Sequence, residues 1–348
     1  MRIRVRDWFK FVSGKKALKW IERIGLGLVG VLLTLAGLGF AYQTRGEARD
    51  REALVPPGRM VPVDGFGMHL HCTGRGSPTV ILETGAAGFA QTWAWVQKSL
   101  SRTTRVCSYD RAGLGWSEDW GAHDATTVAH NLRALLRSAG EAGPFVLAGH
   151  SLGGSFVQVF ADLYPEEITG VGMVDPAHPD QLERFGPEIR KKQEGFHGLI
   201  DVASKLAHFG VLRAFNVLGE SADGLPESDY RTALFFASSP GHLAASDAEL
   251  GAWEETMDDA RRVEDLGDVP LVVISPTVGT EGMPDGFLEI RHEMHRELAG
   301  LSRDGRHVFV QGADHVSLLV NRDHADQVAM HLRSLVAELR WGGERSTE

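Results

Sequence analysis

From about residue 58, short apolar runs alternate with longer segments of helical periodicity. This alternation constrains the fold of the 348-residue chain more than any other feature. The apolar runs are 59–63, 67–72, 79–83, 105–110, 144–149, 169–175, 270–275 and 306–311; the helical segments are 91–101, 125–139, 153–164, 286–301 and 322–340. Strands that are apolar at every position are buried on both faces, which calls for a parallel sheet covered by helices on each side. The sequence therefore predicts an α/β fold with a mostly parallel sheet of eight strands. Between 176 and 269 the alternation stops and helical periodicity takes over. An insertion that long between two strands is usually functional, and it is expected to be a helical lid.

Gly149-His150-Ser151-Leu152-Gly153 sits at the seam between an apolar run and a helical segment. The bare G-x-S-x-G pattern is common, but its strand–turn–helix setting is not. A serine on such a turn projects from the C-terminal edge of the sheet, held in a strained backbone. The helix that follows offers free N–H groups to a developing oxyanion. A serine hydroxyl needs a base, and histidine is poised for that work near neutral pH. Of 15 histidines, His315 follows the last strand at the same sheet edge and comes last in the order Ser…Asp…His. Asp314 beside it reads as a capping residue and His150 as a packed neighbour. His292 and His295 lie three apart on a helix without a third ligand, which reads as a solvated helix face rather than a metal site.

With TVILETG at 79–85, YDRAGLGWSE at 109–118, GHSLGG at 149–154, MVDPAHP at 173–179 and GADH at 312–315, the chain resembles the α/β-hydrolase fold superfamily from about 62 to 336. It looks most like bacterial anchored or secreted serine hydrolases. The resemblance implies eight strands with helices on both faces and a lid after the sixth. It also implies an oxyanion hole made by the backbone N–H groups of Leu152 and Ala86. The histidine that relatives often carry after the third strand is absent, and Glu83-Thr84-Gly85-Ala86-Ala87-Gly88 stands there. Glu83 is expected to be a hydrogen-bonded or ion-paired strand end. The triad acid has two homes on this fold. No carboxylate closely follows the seventh strand, where only Glu281 and Asp285 are near, whereas Asp175 ends the sixth. Asp175 is the expected acid, with Asp285 and Glu281 as the alternatives. The family's sheet order sets the second and fourth strands side by side, and these carry the only two cysteines, Cys72 and Cys107.

Residues 24–42 run nineteen positions without a charge, long enough for a membrane-spanning helix of about 20 residues. Residues 1–23 carry eight Lys/Arg against two acids, while the whole chain is at −10, so the remainder is strongly acidic. Basic residues crowd the N-terminal side of the span, while only Arg45, Arg49 and Arg51 closely follow it with acids mixed among them, which predicts an N-terminus in the cytoplasm and a body outside. The stretch exceeds the usual core of a cleaved signal peptide. Trp8, Phe9, Phe11 and Trp20 suit a membrane interface. The predicted plan is a basic segment 1–23, a span 24–42, a linker 43–57 and a hydrolase domain 58–348 with its insertion at 176–269. An acidic body makes nucleic-acid binding a poor expectation. No G-x-G-x-x-G follows a strand and no P-loop occurs, so no cofactor and no metal are expected.

The expected activity is cleavage of an ester through an acyl-enzyme, with a small-molecule substrate carrying an apolar part. Amide or N-terminal peptide cleavage is the nearer alternative, and a non-catalytic binding module on the same scaffold the more distant one. Apolar clusters in the insertion (Phe196, Leu199, Ile200; Leu212, Phe215, Val217, Leu218; Leu234, Phe235, Phe236) suit either an acyl pocket or ordinary core.

Overall fold

The computed structural model describes residues 15–216, 222–280 and 282–345. Trp8, Phe9, Phe11, Val217, Leu218 and Glu281 lie outside the described residues. The chain opens with helix α1 (Lys15–Ala53), then β1 (Arg59–Val63), β2 (Phe66–Thr73) and β3 (Thr79–Glu83). A 3₁₀ turn at Ala90–Trp93 leads into α2 (Ala94–Leu100). Next come β4 (Val106–Tyr109), α3 (Ala125–Ala139), β5 (Phe145–His150), α4 (Leu152–Leu163) and β6 (Ile168–Val174). Among the described residues, six helices are inserted before the next strand: α5 (Gln181–Arg184), α6 (Pro187–Ala207), α7 (Val211–Phe215), α8 (Glu227–Phe236), α9 (Pro240–Gly251) and α10 (Trp253–Arg261). The fold closes with β7 (Leu271–Pro276), α11 (Phe287–Ala299), β8 (Gly305–Val310), α12 (Ser317–Val320) and α13 (Arg322–Arg345).

The eight strands form one sheet in the order β1-β2-β4-β3-β5-β6-β7-β8, parallel except at β2, which runs antiparallel to both its neighbours. The central strands β3, β4, β5, β6 and β7 are buried on both faces, whereas β1, β2 and β8, toward the sheet's edges, are partly exposed. In β5, Phe145 and Leu147 join one core layer with α3 and α4, while Val146 and Ala148 join the other with α2 and α13. Parallel strands side by side bring every strand-to-helix turn to one edge, so the ends of β3, β5, β6 and β8 converge there.

Cys72 and Cys107 face each other across β2 and β4 and form a disulfide with a Cα–Cα distance of 4.0 Å. That is shorter than the 4.4–6.8 Å common among disulfides, and it follows from the directly opposed register of an antiparallel pair.

The helix does not stop at Tyr42. It continues through Ala53, so residues 43–53, read as linker from their polarity, are helical. Most of them favour helix, Glu47 and Arg51 pair at i, i+4, and Gln43 is buried against the inserted helices. Pro56-Pro57 then ends it. Within α1 lies a stretch apolar and long enough to cross a membrane.

Candidate active site

Ser151 links β5 to α4 with φ 54° and ψ −122°, a left-handed conformation that a non-glycine residue adopts only when its surroundings enforce it. The surroundings are glycines. A Cβ at Gly149 would lie 2.1 Å from the Gly153 carbonyl oxygen, and one at Gly153 would lie 2.5 Å from the Thr84 carbonyl oxygen. Ser151 N–H donates to Val174, and its carbonyl accepts from Gly154 and Ala177, so the turn is tied to the end of β6. Leu152 opens α4, where the first N–H groups have no helical acceptor. The Ala86 N–H donates to nothing among the described residues. The β3 turn comes close to the serine, since a Cβ on Gly85 would lie 3.0 Å from Ser151 Cβ.

Asp175 ends β6 with φ 43° and is buried. His315, in the loop after β8, directs Nδ1 at Asp175 Oδ2, 2.5 Å away. A carboxylate only accepts, so Nδ1 carries the proton and Nε2 is left as the basic nitrogen. Burial alone would raise the Asp175 pKa. The charges of Arg291 and His315 and the His315 hydrogen bond outweigh burial and hold this carboxyl well below the usual carboxylate range. Arg291, on α11, donates to the same oxygen at 2.9 Å. Ser151 Oγ makes no hydrogen bond among the described residues; such contacts commonly close only around substrate.

His150 is more than a packed neighbour. Its ring stacks on His315 with centroids 4.6 Å apart, and its Nε2–H donates to the His315 carbonyl at 3.1 Å. Burial, then the His315 charge, pulls its pKa down to about 3, so it stays neutral beside the candidate base. Glu83 is the paired strand end expected of it, buried against Arg111 and Tyr109. Arg111 also donates to the carbonyls of Thr84 at 2.9 Å and Gly85 at 2.8 Å. Glu249 on α9 accepts from Arg111 Nε at 2.7 Å and from Ala87 N–H at 2.8 Å, fixing the β3 turn from the inserted side. Asp314 caps α12, accepting from the N–H of Ser317 at 2.9 Å. Asp285 is exposed and makes no bond to His315 among the described residues; Glu281 lies outside them.

One sequence reading is corrected. His295 does not lie on a solvated face. It is buried, its Nε2 donates to the Pro176 carbonyl at 3.1 Å and stands 3.7 Å from Asp175 Oδ1, and its Nδ1 meets Ser275 Oγ at 2.6 Å. The helix packs that face on β7, which spacing alone could not show. Arg291 and Glu249 were missed for a similar reason: each meets its partner across more than a hundred residues of chain. Arg111 does have a local signal, its place within YDRAG directly after β4.

Burial pulls the pKa of His295 to about 3 and of His242 to about 4, as it does for His150. Unfolded, each titrates near 6.5. Between those values the unfolded chain binds protons that the folded chain refuses, so stability rises with pH and falls on acidification. Each buried ring contributes up to about 1.4 kcal/mol per pH unit across that window. The denaturation midpoint is therefore expected to drop steadily from pH 6.5 toward pH 4, and less steeply for His295→Gln. A midpoint that stays flat over this range would contradict the burial of these rings.

Residues 78–219 match the sequence model of a family described as "alpha/beta hydrolase fold". The chain superposes on a putative lipase from Acinetobacter baumannii with a TM-score of 0.64 at 18% identity, covering 86% of this chain and 97% of the other. It superposes on an epoxide hydrolase from Vigna radiata with a TM-score of 0.60 at 19% identity, covering 80% and 97%. These likenesses, with the sheet order, make the chain a protein of the α/β-hydrolase fold. Among curated proteins it is similar to the uncharacterized protein YbdG of Bacillus subtilis, 27% identical over 53% of this chain and 58% of that one. The chain spans about three fifths of that relative and about a fifth of the next two.

Proposed function

We propose that the protein is a membrane-anchored serine hydrolase that cleaves an ester through an acyl-enzyme. The observation that carries this reading is the ionised, buried Asp175 hydrogen-bonded to His315 Nδ1 beside the strained Ser151 turn. Ser151 Oγ attacks the substrate carbonyl carbon while His315 Nε2 takes the hydroxyl proton. The oxyanion that forms accepts from Leu152 and Ala86 N–H. His315 then gives the proton to the departing alcohol oxygen, leaving the acyl group on Ser151. Water, deprotonated by His315, attacks that acyl carbon, and the acid leaves as the serine regains its proton. Asp175 fixes the tautomer and stabilises the imidazolium. An aspartate nucleophile, the other chemistry of this fold, has no candidate at the elbow because position 151 is serine.

A panel of p-nitrophenyl esters of increasing chain length beside aminoacyl p-nitroanilides tests the reaction. Ester turnover well above anilide turnover is expected, together with fluorophosphonate labelling that maps to Ser151. Faster anilide cleavage would assign peptidase chemistry, and no turnover with no labelling would make the fold a binding scaffold.

In this reading α1 crosses the membrane once, with its basic N-terminal side in the cytoplasm and the inserted helices and sheet outside. The basic flank supports the orientation, and so does the disulfide, a bond that persists outside the reducing cytosol. Protease added to intact spheroplasts should digest the body, and alkylation before reduction should find no free thiol. A protected body with two free thiols would reverse the orientation.

A further inference from the structure

We propose that the inserted helices α6 and α7 are seated in the surface of the bilayer that α1 crosses, so that the candidate active site draws its ester from that membrane. The inference rests on reading α1 as a membrane span.

The end of α1 is fastened to the insertion. Gln43 is buried and donates to the Ser238 carbonyl at 2.9 Å, and Arg213 on α7 pairs with Asp50 and donates to Gln43 Oε1 at 3.2 Å. The contact reaches into the apolar stretch itself. A Cβ on Gly39 would lie 2.4 Å from the Phe209 carbonyl oxygen, and one on Gly210 would lie 2.6 Å from the Tyr42 ring. Gly39 is three residues inside the uncharged run that ends at Tyr42. At 1.5 Å of rise per residue, the turn after α6 therefore meets the span about 4–5 Å on the membrane side of Tyr42. Tyrosine commonly marks the interface level.

The same turn ends an exposed apolar row. Phe196, Leu199, Val202, Leu206 and Phe209 follow one another at three- and four-residue spacing, each between 40% and 52% exposed, and Phe215 on α7 is 76% exposed. An adjacent face of α6 is already satisfied: Ala203 and Ala207 pack with Leu212 and with Leu243 of α9. A helix with one face in protein core and a second apolar face in the open is built to lie at an interface. The depth of Phe209 against Gly39 identifies that interface. A soluble partner cannot reach the span at Gly39, whereas lipid is already there. The sequence clusters in this insertion thus divide. Ile200, Leu212, Phe235 and Phe236 are core, and Phe196, Leu199 and Phe215 face outward.

The seating also bears on the site. Helix α9, which packs on α6, carries the Glu249 that holds Ala87 N–H and Arg111 at the β3 turn. The substrate this arrangement suits is an ester whose apolar acyl chain is dissolved in the bilayer.

The test places an environment-sensitive fluorophore at single introduced cysteines in the full chain, reconstituted in phosphatidylcholine vesicles with and without lipids carrying a doxyl quencher near the headgroup. The native cysteines are bonded to each other and take no label. The variants are Val202→Cys and Phe209→Cys on the insertion, Leu35→Cys in the span, and Asp304→Cys on the exposed loop before β8. Quenching at 202 and 209 comparable to that at 35, with none at 304, is the expected result. Quenching at 35 alone overturns the seating and leaves the anchor intact. Blue-shifted but unquenched emission at 202 and 209 would mean that a second copy covers the row, which also overturns it. No quenching at 35 removes the anchor reading and this inference together.

Discussion

Replacing Ser151 by alanine is expected to remove ester hydrolysis almost completely while leaving the fold unchanged. Loss of the nucleophile from a triad costs on the order of 10⁶ in kcat, because the remaining groups cannot act without it. The hydroxyl makes no hydrogen bond among the described residues, so its removal strands no buried partner there. The backbone strain at φ 54° is the same for alanine as for serine. Stability should therefore shift by no more than about 0.5 kcal/mol, the range of changes that break no structural feature. Single-turnover kinetics and a denaturant titration on the same preparation check both halves. Turnover by Ser151→Ala within tenfold of the parent would eliminate the acyl-enzyme at this residue.

Asp175→Asn should lower kcat by up to about 10⁴ with KM little changed. The amide can present an N–H to His315 Nδ1, which favours the wrong tautomer and takes Nε2 out of service as a base. Unlike the serine variant, this one should also lose stability. Arg291 donates to the same carboxylate oxygen, and its charge, with a side chain only 15% exposed, would be left without a counterion. The two effects separate experimentally, because the loss of rate should persist at temperatures where circular dichroism shows the variant folded. Asp285→Asn changes an exposed side chain that makes no bond to His315 among the described residues and should be silent on both measures. A large loss at Asp285 with a near-normal Asp175→Asn would move the acid to the loop after β7. The depressed pKa of Asp175 adds a further expectation. The acid limb of the rate profile should not reflect its protonation, since it remains ionised well below the pH at which an ordinary carboxyl titrates.

The sequence alone determined the sheet and the serine turn. Both are local: an apolar run of four to eight residues can only be a doubly buried strand or a buried helix, and Gly149 and Gly153 bracket a turn that no larger residue fits. The assembly of strand ends at one edge followed from parallel topology, so Ser151, Asp175 and His315 could be named before their distances were known. Polarity after the apolar run did not show where α1 ends: residues 43–53 carry helix formers and an i, i+4 pair, and Gln43 is fastened to Ser238 some 195 residues away. The tertiary structure alone decided what surrounds each site residue. Arg291 beside Asp175, His150 stacked on His315, Glu249 on the β3 turn and the buried face of His295 all arise where helices distant in sequence pack on the sheet. Side chains of one type at one helical spacing are solvated or buried according to which neighbour covers them, and a periodicity records the stripe but not the neighbour.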